Sequence, residues 1–157
     1  MASLTIGKPA PDFTLPVIGE GYQPGETLRL SQVRGQTVVL YFYPKDDTPG
    51  CTTQACALRD GWTALPEGAL VFGVSVDSLD SHQKFIDKYQ LPFPLFSDTE
   101  KEVVQLYGVW VEKSMYGKKY MGVERSTFVI DPAGNLHAIL KKVKPAEHLS
   151  QLLKSLP

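Results

Sequence analysis

Both cysteines of the chain, Cys51 and Cys56, lie in the run Pro44-Lys-Asp-Asp-Thr-Pro-Gly-Cys-Thr-Thr-Gln-Ala-Cys56. Pro49-Gly50 breaks the preceding segment, and Cys51 opens a helix whose apolar stripe recurs at 51, 55, 58, 62 and 65 until Pro66. A thiol in the first turn of a helix meets unpaired amides and the positive end of the helix dipole. Both favour thiolate, the nucleophilic form. In the loop just ahead, Thr48 has a hydroxyl that can point at the sulfur or at an incoming oxygen atom. Pro44 and Pro49 stiffen that loop and remove backbone donors. The competing reading of Cys51 is a buried, inert cysteine, a common fate of free thiols.

The position of Cys56 bears on that choice. Five residues of helix turn the chain by about 140° net and raise it by about 7.5 Å, so the two Cα atoms stand roughly 8–9 Å apart. A disulfide tolerates about 7 Å. An intact helix therefore keeps both thiols reduced, and a bond between them requires the first turns to unwind. As a permanent staple it would close a short loop, worth about 2 kcal/mol before the broken helix hydrogen bonds are subtracted. A redox cycle with two conformations accounts for the spacing better than a structural bridge does.

The rest of the chain supplies elements that can position this segment. Residues 1–35 are rich in Pro and Gly, with brief extended pieces at 13–15 and 27–30. Thr37–Tyr43 is a continuous β-branched and aromatic run, as expected of a strand buried on both faces, and residues 69–76 read the same way. A helix is predicted over 79–90, with His82, Phe85, Ile86 and Tyr89 on one side. A short strand near 94–96 leads to Ser97-Asp-Thr-Glu100, a capping-box pattern that opens a helix ending at Gly108. Residues 109–124 fit no regular element and read as a long excursion. Strands at 126–131 and 136–142 flank Asp131-Pro-Ala-Gly-Asn135, a sequence suited to an antiparallel turn, and 145–154 is an amphipathic helix. The order β-α-β-α-β-α-β-β-α implies an α/β fold of thioredoxin-like type, a central mixed sheet with helices on both faces.

Bulk properties set outer limits. A length of 157 residues is that of one domain, 1–157, able to bury a core without cross-links. Sixteen basic and seventeen acidic side chains give no basic surface for nucleic acid or an anionic membrane. The opening residues lack a charged leader followed by an apolar stretch, so no signal peptide is expected. The longest apolar run, near 38–43, is too short to span a bilayer. A reducing, cytoplasmic location follows as the expectation. His82 reads as a satisfied packing residue, and His137 and His148 have no partner at metal-ligand spacing, so no metal site is expected.

Pro44, Thr48 and Cys51 together resemble the active-site pattern of the peroxiredoxins. Tyr41-Phe-Tyr-Pro-Lys45 and Cys51-Thr-Thr-Gln-Ala-Cys-Ala-Leu-Arg-Asp60 are similar to the bacterioferritin comigratory protein, or PrxQ, subfamily. The likeness spans most of the chain, through Gly7-Lys-Pro-Ala-Pro-Asp-Phe13, Phe96-Ser-Asp98, Tyr107-Gly-Val-Trp110 and Arg125-Ser-Thr-Phe-Val-Ile-Asp131. The resemblance implies a thiol peroxidase acting on hydrogen peroxide and organic hydroperoxides without metal, flavin or haem. It casts Cys51 as the peroxidatic cysteine and Cys56 as the resolving cysteine. Thr48 and Arg125 would bind the peroxide oxygens, and Pro44 would shield the sulfur. Thioredoxin or a related dithiol would regenerate the thiols, and the protein would be a monomer.

Other readings weigh less. Arg125 taken alone reads as a solvated charge before a strand. Trp110 either covers the pocket or closes a packing cluster, and Lys118-Lys119 reads as a solvated tip. A thioredoxin-type disulfide oxidoreductase needs Cys-x-x-Cys, which the chain lacks. A redox sensor or chaperone-type binding module, whose thiols only switch shape, is the alternative from another class. No exposed apolar tract or basic tail favours it.

Overall fold

The computed structural model describes residues 4–157; Met1–Ser3, which form part of the stretch searched for a signal peptide, lie outside it. The central strand is β3 (Val38–Phe42), buried at every position, which explains its unbroken apolar sequence. It lies between β4 (Leu70–Ser75), parallel to it, and β8 (Ser126–Ile130), antiparallel. With β1 (Thr14–Ile18), β2 (Thr27–Arg29), β5 (Leu95–Ser97) and β9 (Leu136–Leu140), these form one mixed sheet in the order β2-β1-β5-β4-β3-β8-β9. The expected extended pieces near the N-terminus are thus two strands at one side of the sheet, β2 at its edge and β1 joined to β5 as an antiparallel pair.

Period-two alternation divides the core between the sheet's two faces. Leu40, Phe42, Phe72, Phe96 and Phe128 point to one face, where α3 (Glu102–Leu106) adds Val103 and Val104. Val39, Tyr41, Val71, Leu95 and Val129 point to the other. That face is covered by α1 (Pro49–Asp60), α2 (Leu79–Tyr89) and α4 (His148–Ser155). The fold is thioredoxin-like, with helices on both faces as expected. No helix of the described residues is long and apolar enough to cross a membrane.

Three local readings need correction. The helix carrying the cysteines starts at Pro49 and ends at Asp60, with residues 62–64 forming a separate 3₁₀ turn. Proline is favoured at the first helical position because its missing N–H would be unpaired there anyway. The expected capping box does not form: α3 starts at Glu102 after Lys101, and it is the Asp98 carboxylate, not Ser97, that accepts from the first-turn amides of Glu102 (3.1 Å) and Val104 (2.8 Å). The Ser97 hydroxyl instead donates to the Asp77 carbonyl at 2.6 Å. The predicted excursion is a regular antiparallel hairpin, β6 (Trp110–Met115) with β7 (Lys118–Val123). Its two-residue turn, Tyr116-Gly117, has positive φ at both positions (53° and 78°), as a hairpin of matching twist requires. Trp110 packs on the core face opposite α1, with Lys101 Nζ 5.7 Å from its ring centroid, so it closes a packing cluster.

One buried group couples this fold to pH. His148, at the start of α4, lies against the Tyr41 ring, and its Nε2 is 2.8 Å from Thr127 Oγ1. Burial, with the nearby Arg125 charge adding to it, depresses its pKa from 6.5 to about 4. Unfolded chains take up a proton near pH 6.5 that the folded protein refuses until about pH 4. The stability from the neutral ring is therefore complete above pH 6.5 and is lost as pH falls through that window. Denaturant melts between pH 7 and 4 should show wild type losing stability more steeply than His148→Asn, by about 1.4 kcal/mol per pH unit. Equal slopes would show that His148 titrates normally in the folded protein.

Candidate active site

The site is built where β3 leaves the sheet. Tyr43 and Pro44 follow the strand, residues 44–48 form a loop, and Thr48 is the extended N-cap residue of α1 (φ −96°, ψ 156°). Pro49 and Gly50 occupy the first two helical positions and Cys51 the third. The first helical hydrogen bond runs from the Thr52 amide to the Thr48 carbonyl at 2.8 Å. The Gly50 and Cys51 amides therefore belong to the open end of the helix, which favours negative charge.

Cys51 is buried, at 2% exposure, on the face that packs against Tyr41 and Ala55. Arg125, immediately before β8, reaches it across 74 residues of sequence: Nη2 donates to Cys51 Sγ at 3.4 Å. The other guanidinium nitrogen, Nη1, donates to Gln54 Oε1 at 2.5 Å. Gln54 is fully buried one helical turn after Cys51, so both side chains lie on the same helix face. The guanidinium is thereby held by one planar acceptor while its second donor is aimed at the sulfur.

Two backbone features make room for this contact. A Cβ at Gly50 would sit 3.1 Å from Arg125 Nη2 and 3.4 Å from Pro145 Cγ, so glycine lets the guanidinium lie against the first turn. The Arg125 carbonyl accepts from the Val143 amide at 2.9 Å, tying the residue to the segment that connects β9 to the C-terminal helix. Lys113 of the hairpin faces the same region. Its half-buried ammonium has a pKa lowered first by burial and then by the Arg125 charge, with Cys51 acting in the opposite direction.

The other sequence candidates fall as follows. The Thr48 hydroxyl donates to the Lys45 carbonyl at 2.8 Å, so its proton points at the backbone rather than at the sulfur. Its oxygen lone pairs remain available to accept a hydrogen bond. Pro44 is half-buried directly after β3. Cys56 is half-exposed and free on the same continuous helix, while Cys51 is buried and free. Arg125 is a thiol partner rather than a solvated charge. Gln54 and Gly50 were missed as site residues. Gln54 was accessible in principle from its three-residue spacing to Cys51, whereas the need for glycine at 50 arises only once Arg125 is in place.

Comparisons of sequence and fold with known proteins give consistent matches. The AhpC/TSA family model matches residues 6–139. Peroxiredoxin Bcp of Bacillus subtilis is 46% identical over 155 residues, covering 98% of this chain and 96% of that protein. A mutant structure of Xylella fastidiosa PrxQ superposes with a TM-score of 0.86 at 33% identity, covering 98% of this chain and 96% of the other. The bacterioferritin comigratory protein of Xanthomonas campestris, studied for alkyl peroxide reduction, gives 0.81 at 37% identity, covering 90% and 88%.

The Gln54 contact makes a prediction separable from folding. Gln54→Met keeps the side-chain length but releases Arg125 Nη1. Loss of that one anchoring bond should slow oxidation of Cys51 by hydrogen peroxide about tenfold, with stability changed by about 1 kcal/mol or less. Stopped-flow oxidation beside a thermal melt measures both. Unchanged oxidation would mean that Arg125 holds its position without Gln54.

Proposed function

The chain belongs to the AhpC/TSA family as a peroxiredoxin of the Bcp/PrxQ group, and on that premise we propose that Cys51 is its peroxidatic cysteine and Cys56 its resolving cysteine. The observation that carries the reading is the 3.4 Å contact between Arg125 Nη2 and a buried sulfur at the third position of α1. A cation and an open helix end favour the thiolate, and both act in a poorly solvated place where charge interactions are strong.

The thiolate attacks one peroxide oxygen and the O–O bond breaks. Cys51 becomes a sulfenic acid, and the other oxygen leaves as alkoxide or hydroxide, taking a proton to give alcohol or water. Arg125 is suited to stabilise charge on the oxygens as the bond breaks. With its proton committed to the Lys45 carbonyl, Thr48 is suited to accept a hydrogen bond from the O–H of the peroxide. Pro44, at the end of β3, limits water near the sulfur. Hydrogen peroxide and organic hydroperoxides both meet these demands. Alkyl peroxide reduction by the Xanthomonas campestris relative supports the second class.

Resolution follows within one chain. The Cys56 thiolate attacks the sulfenic sulfur, a Cys51–Cys56 disulfide forms, and hydroxide leaves as water. A dithiol such as thioredoxin then reduces the disulfide by exchange. The helix separates the pair by roughly 8–9 Å between Cα atoms, so the first turns of α1 unwind before the bond closes. Resolution inside one chain lets the protein work as a monomer, and a cytoplasmic, thiol-reducing compartment suits its recycling.

Peroxide consumption coupled to thioredoxin, thioredoxin reductase and NADPH tests the assignment. Cys51→Ser should lose essentially all turnover, and any surviving turnover removes Cys51 from its role. Cys56→Ser should consume one peroxide per protein and then stall with thioredoxin; cycling at the wild-type rate would deny Cys56 its part. Hydrogen exchange supplies a structural check. Amides of residues 52–56 should be protected in the reduced protein and exchange at least about tenfold faster after one equivalent of peroxide. A disulfide formed with that protection intact would exclude unwinding.

A further inference from the structure

The side-chain anchors of the loop at 44–48 come from its flanking strands and from α2. Asp46 is buried, and its carboxylate meets three partners: the Tyr43 hydroxyl at 2.5 Å, the Ser81 hydroxyl at 2.8 Å and His82 Nδ1 at 2.7 Å. His82 is fully buried, and its Nε2 faces the Phe96 carbonyl at 2.8 Å. Both ring nitrogens thus lie within hydrogen-bond distance of an oxygen, which fixes the ring between the loop and β5. The Asp46 amide donates to Asp77 Oδ2 at 2.8 Å, and Ser75 Oγ donates to the same oxygen at 2.6 Å. Asp46, Asp77 and His82 have the composition of a metal site, but the atoms that would bind an ion are engaged in these hydrogen bonds.

The neighbouring residue is held from the same helix. Asp47 has φ 56°, a left-handed conformation that a residue with a Cβ keeps when its surroundings impose it. Its carboxylate accepts from Lys88 Nζ at 2.9 Å and from the Tyr89 hydroxyl at 2.8 Å. Beyond the reactive segment, Arg59 Nη1 donates to the Tyr89 carbonyl at 2.7 Å. Helix α2 therefore grips the chain just before α1 and again near its C-terminal end.

We propose that the buried Asp46–His82 pair is a positioning device for the peroxide-binding loop, keeping Pro44 and Thr48 in register with Cys51 while the start of α1 unwinds and reforms. The inference rests on the reading that Cys51 reacts with peroxide and pairs with Cys56. A buried, hydrogen-bonded carboxyl–imidazole pair adds little stability compared with apolar packing. What this one does is fix two successive loop residues, one of them in a strained conformation, against a helix that stays outside the unwinding segment. Pro44 and Thr48 serve the peroxide step, whereas reduction of the disulfide does not use them. The pair therefore governs one half of the cycle.

The test separates the two half-reactions. Asp46→Asn should slow oxidation of Cys51 by hydrogen peroxide about tenfold to a hundredfold, the scale of a small misplacement of reacting groups. Reduction of its preformed disulfide by dithiothreitol should stay within about twofold of wild type. Unchanged oxidation, or equal slowing of both half-reactions, overturns the proposal. If Asp46→Asn does not fold, Ser81→Ala removes one of the same bonds from a half-exposed position. It should slow only the oxidation step, by about threefold to tenfold, the worth of one hydrogen bond; an unchanged step overturns the proposal. Wild type distinguishes failure of the underlying reading, because it would then form no disulfide with peroxide.

Discussion

The structure depends on one guanidinium shared between two acceptors. Arg125 touches a sulfur with Nη2 and an amide oxygen with Nη1, and each acceptor comes from the first turns of α1. That places three demands on the fold. The strand bearing Arg125 must lie beside the strand that leads into α1, which the β3–β8 pairing provides. Position 50, in the first turn, must leave room for the guanidinium, which lies 3.1 Å from where a Cβ would sit. The amide must come one turn after the thiol. An error in any of these turns a directed cation into an undirected one.

The sheet meets the first demand because its central strands are deeply buried and paired on both sides. Val39, Leu40 and Phe42 are fully buried, and β8 is buried at every position. Polar groups are then attached at strand ends, where the backbone leaves the hydrogen-bonded ladder. Pro44 and Asp46 follow β3, Asp77 follows β4 and Arg125 precedes β8. Packing supplies stability in the middle of the strands, and the candidate site is confined to their ends, where the backbone is free to turn.

This division explains what the sequence made legible. The core strands show as β-branched and aromatic runs because both faces are buried, and α2 shows because its apolar residues recur at helical spacing. The hairpin at 110–123 does not show. Its strands are half-buried or exposed over most of their length, so neither alternation nor an apolar run marks them, and Tyr116-Gly117 is a poor advertisement for a two-residue turn. The start of α1 was misplaced by two residues because Pro-Gly reads as a break, although proline is favoured at a first helical position. Cys51, Cys56, Thr48 and Pro44 stand in one short run and could be read together. Arg125, 74 residues away, became a candidate only through family resemblance. Gln54 and Asp46 stayed hidden because their roles come from partners that the fold delivers.

The remaining question is how a helix can be ordered enough to aim a thiol and still come apart. Its buried residues are Cys51, Gln54, Ala55 and Leu58. The first three are small or polar, and only Leu58 is a large aliphatic anchor, worth about 2–3 kcal/mol of burial. Thr48 supplies no side-chain cap, since its hydroxyl is turned to Lys45, which forgoes about 1 kcal/mol at the N-terminus. Adhesion therefore rises from the reactive end of α1 towards Leu58 and the Arg59–Tyr89 bond. In the reduced protein the contact of Arg125 with Cys51 and Gln54 compensates for that weak start. On the proposed mechanism, oxidation of Cys51 to a sulfenic acid changes the acceptor that Arg125 Nη2 holds. On that proposal, the step that oxidises Cys51 would also loosen the turns that have to open for Cys56 to reach it.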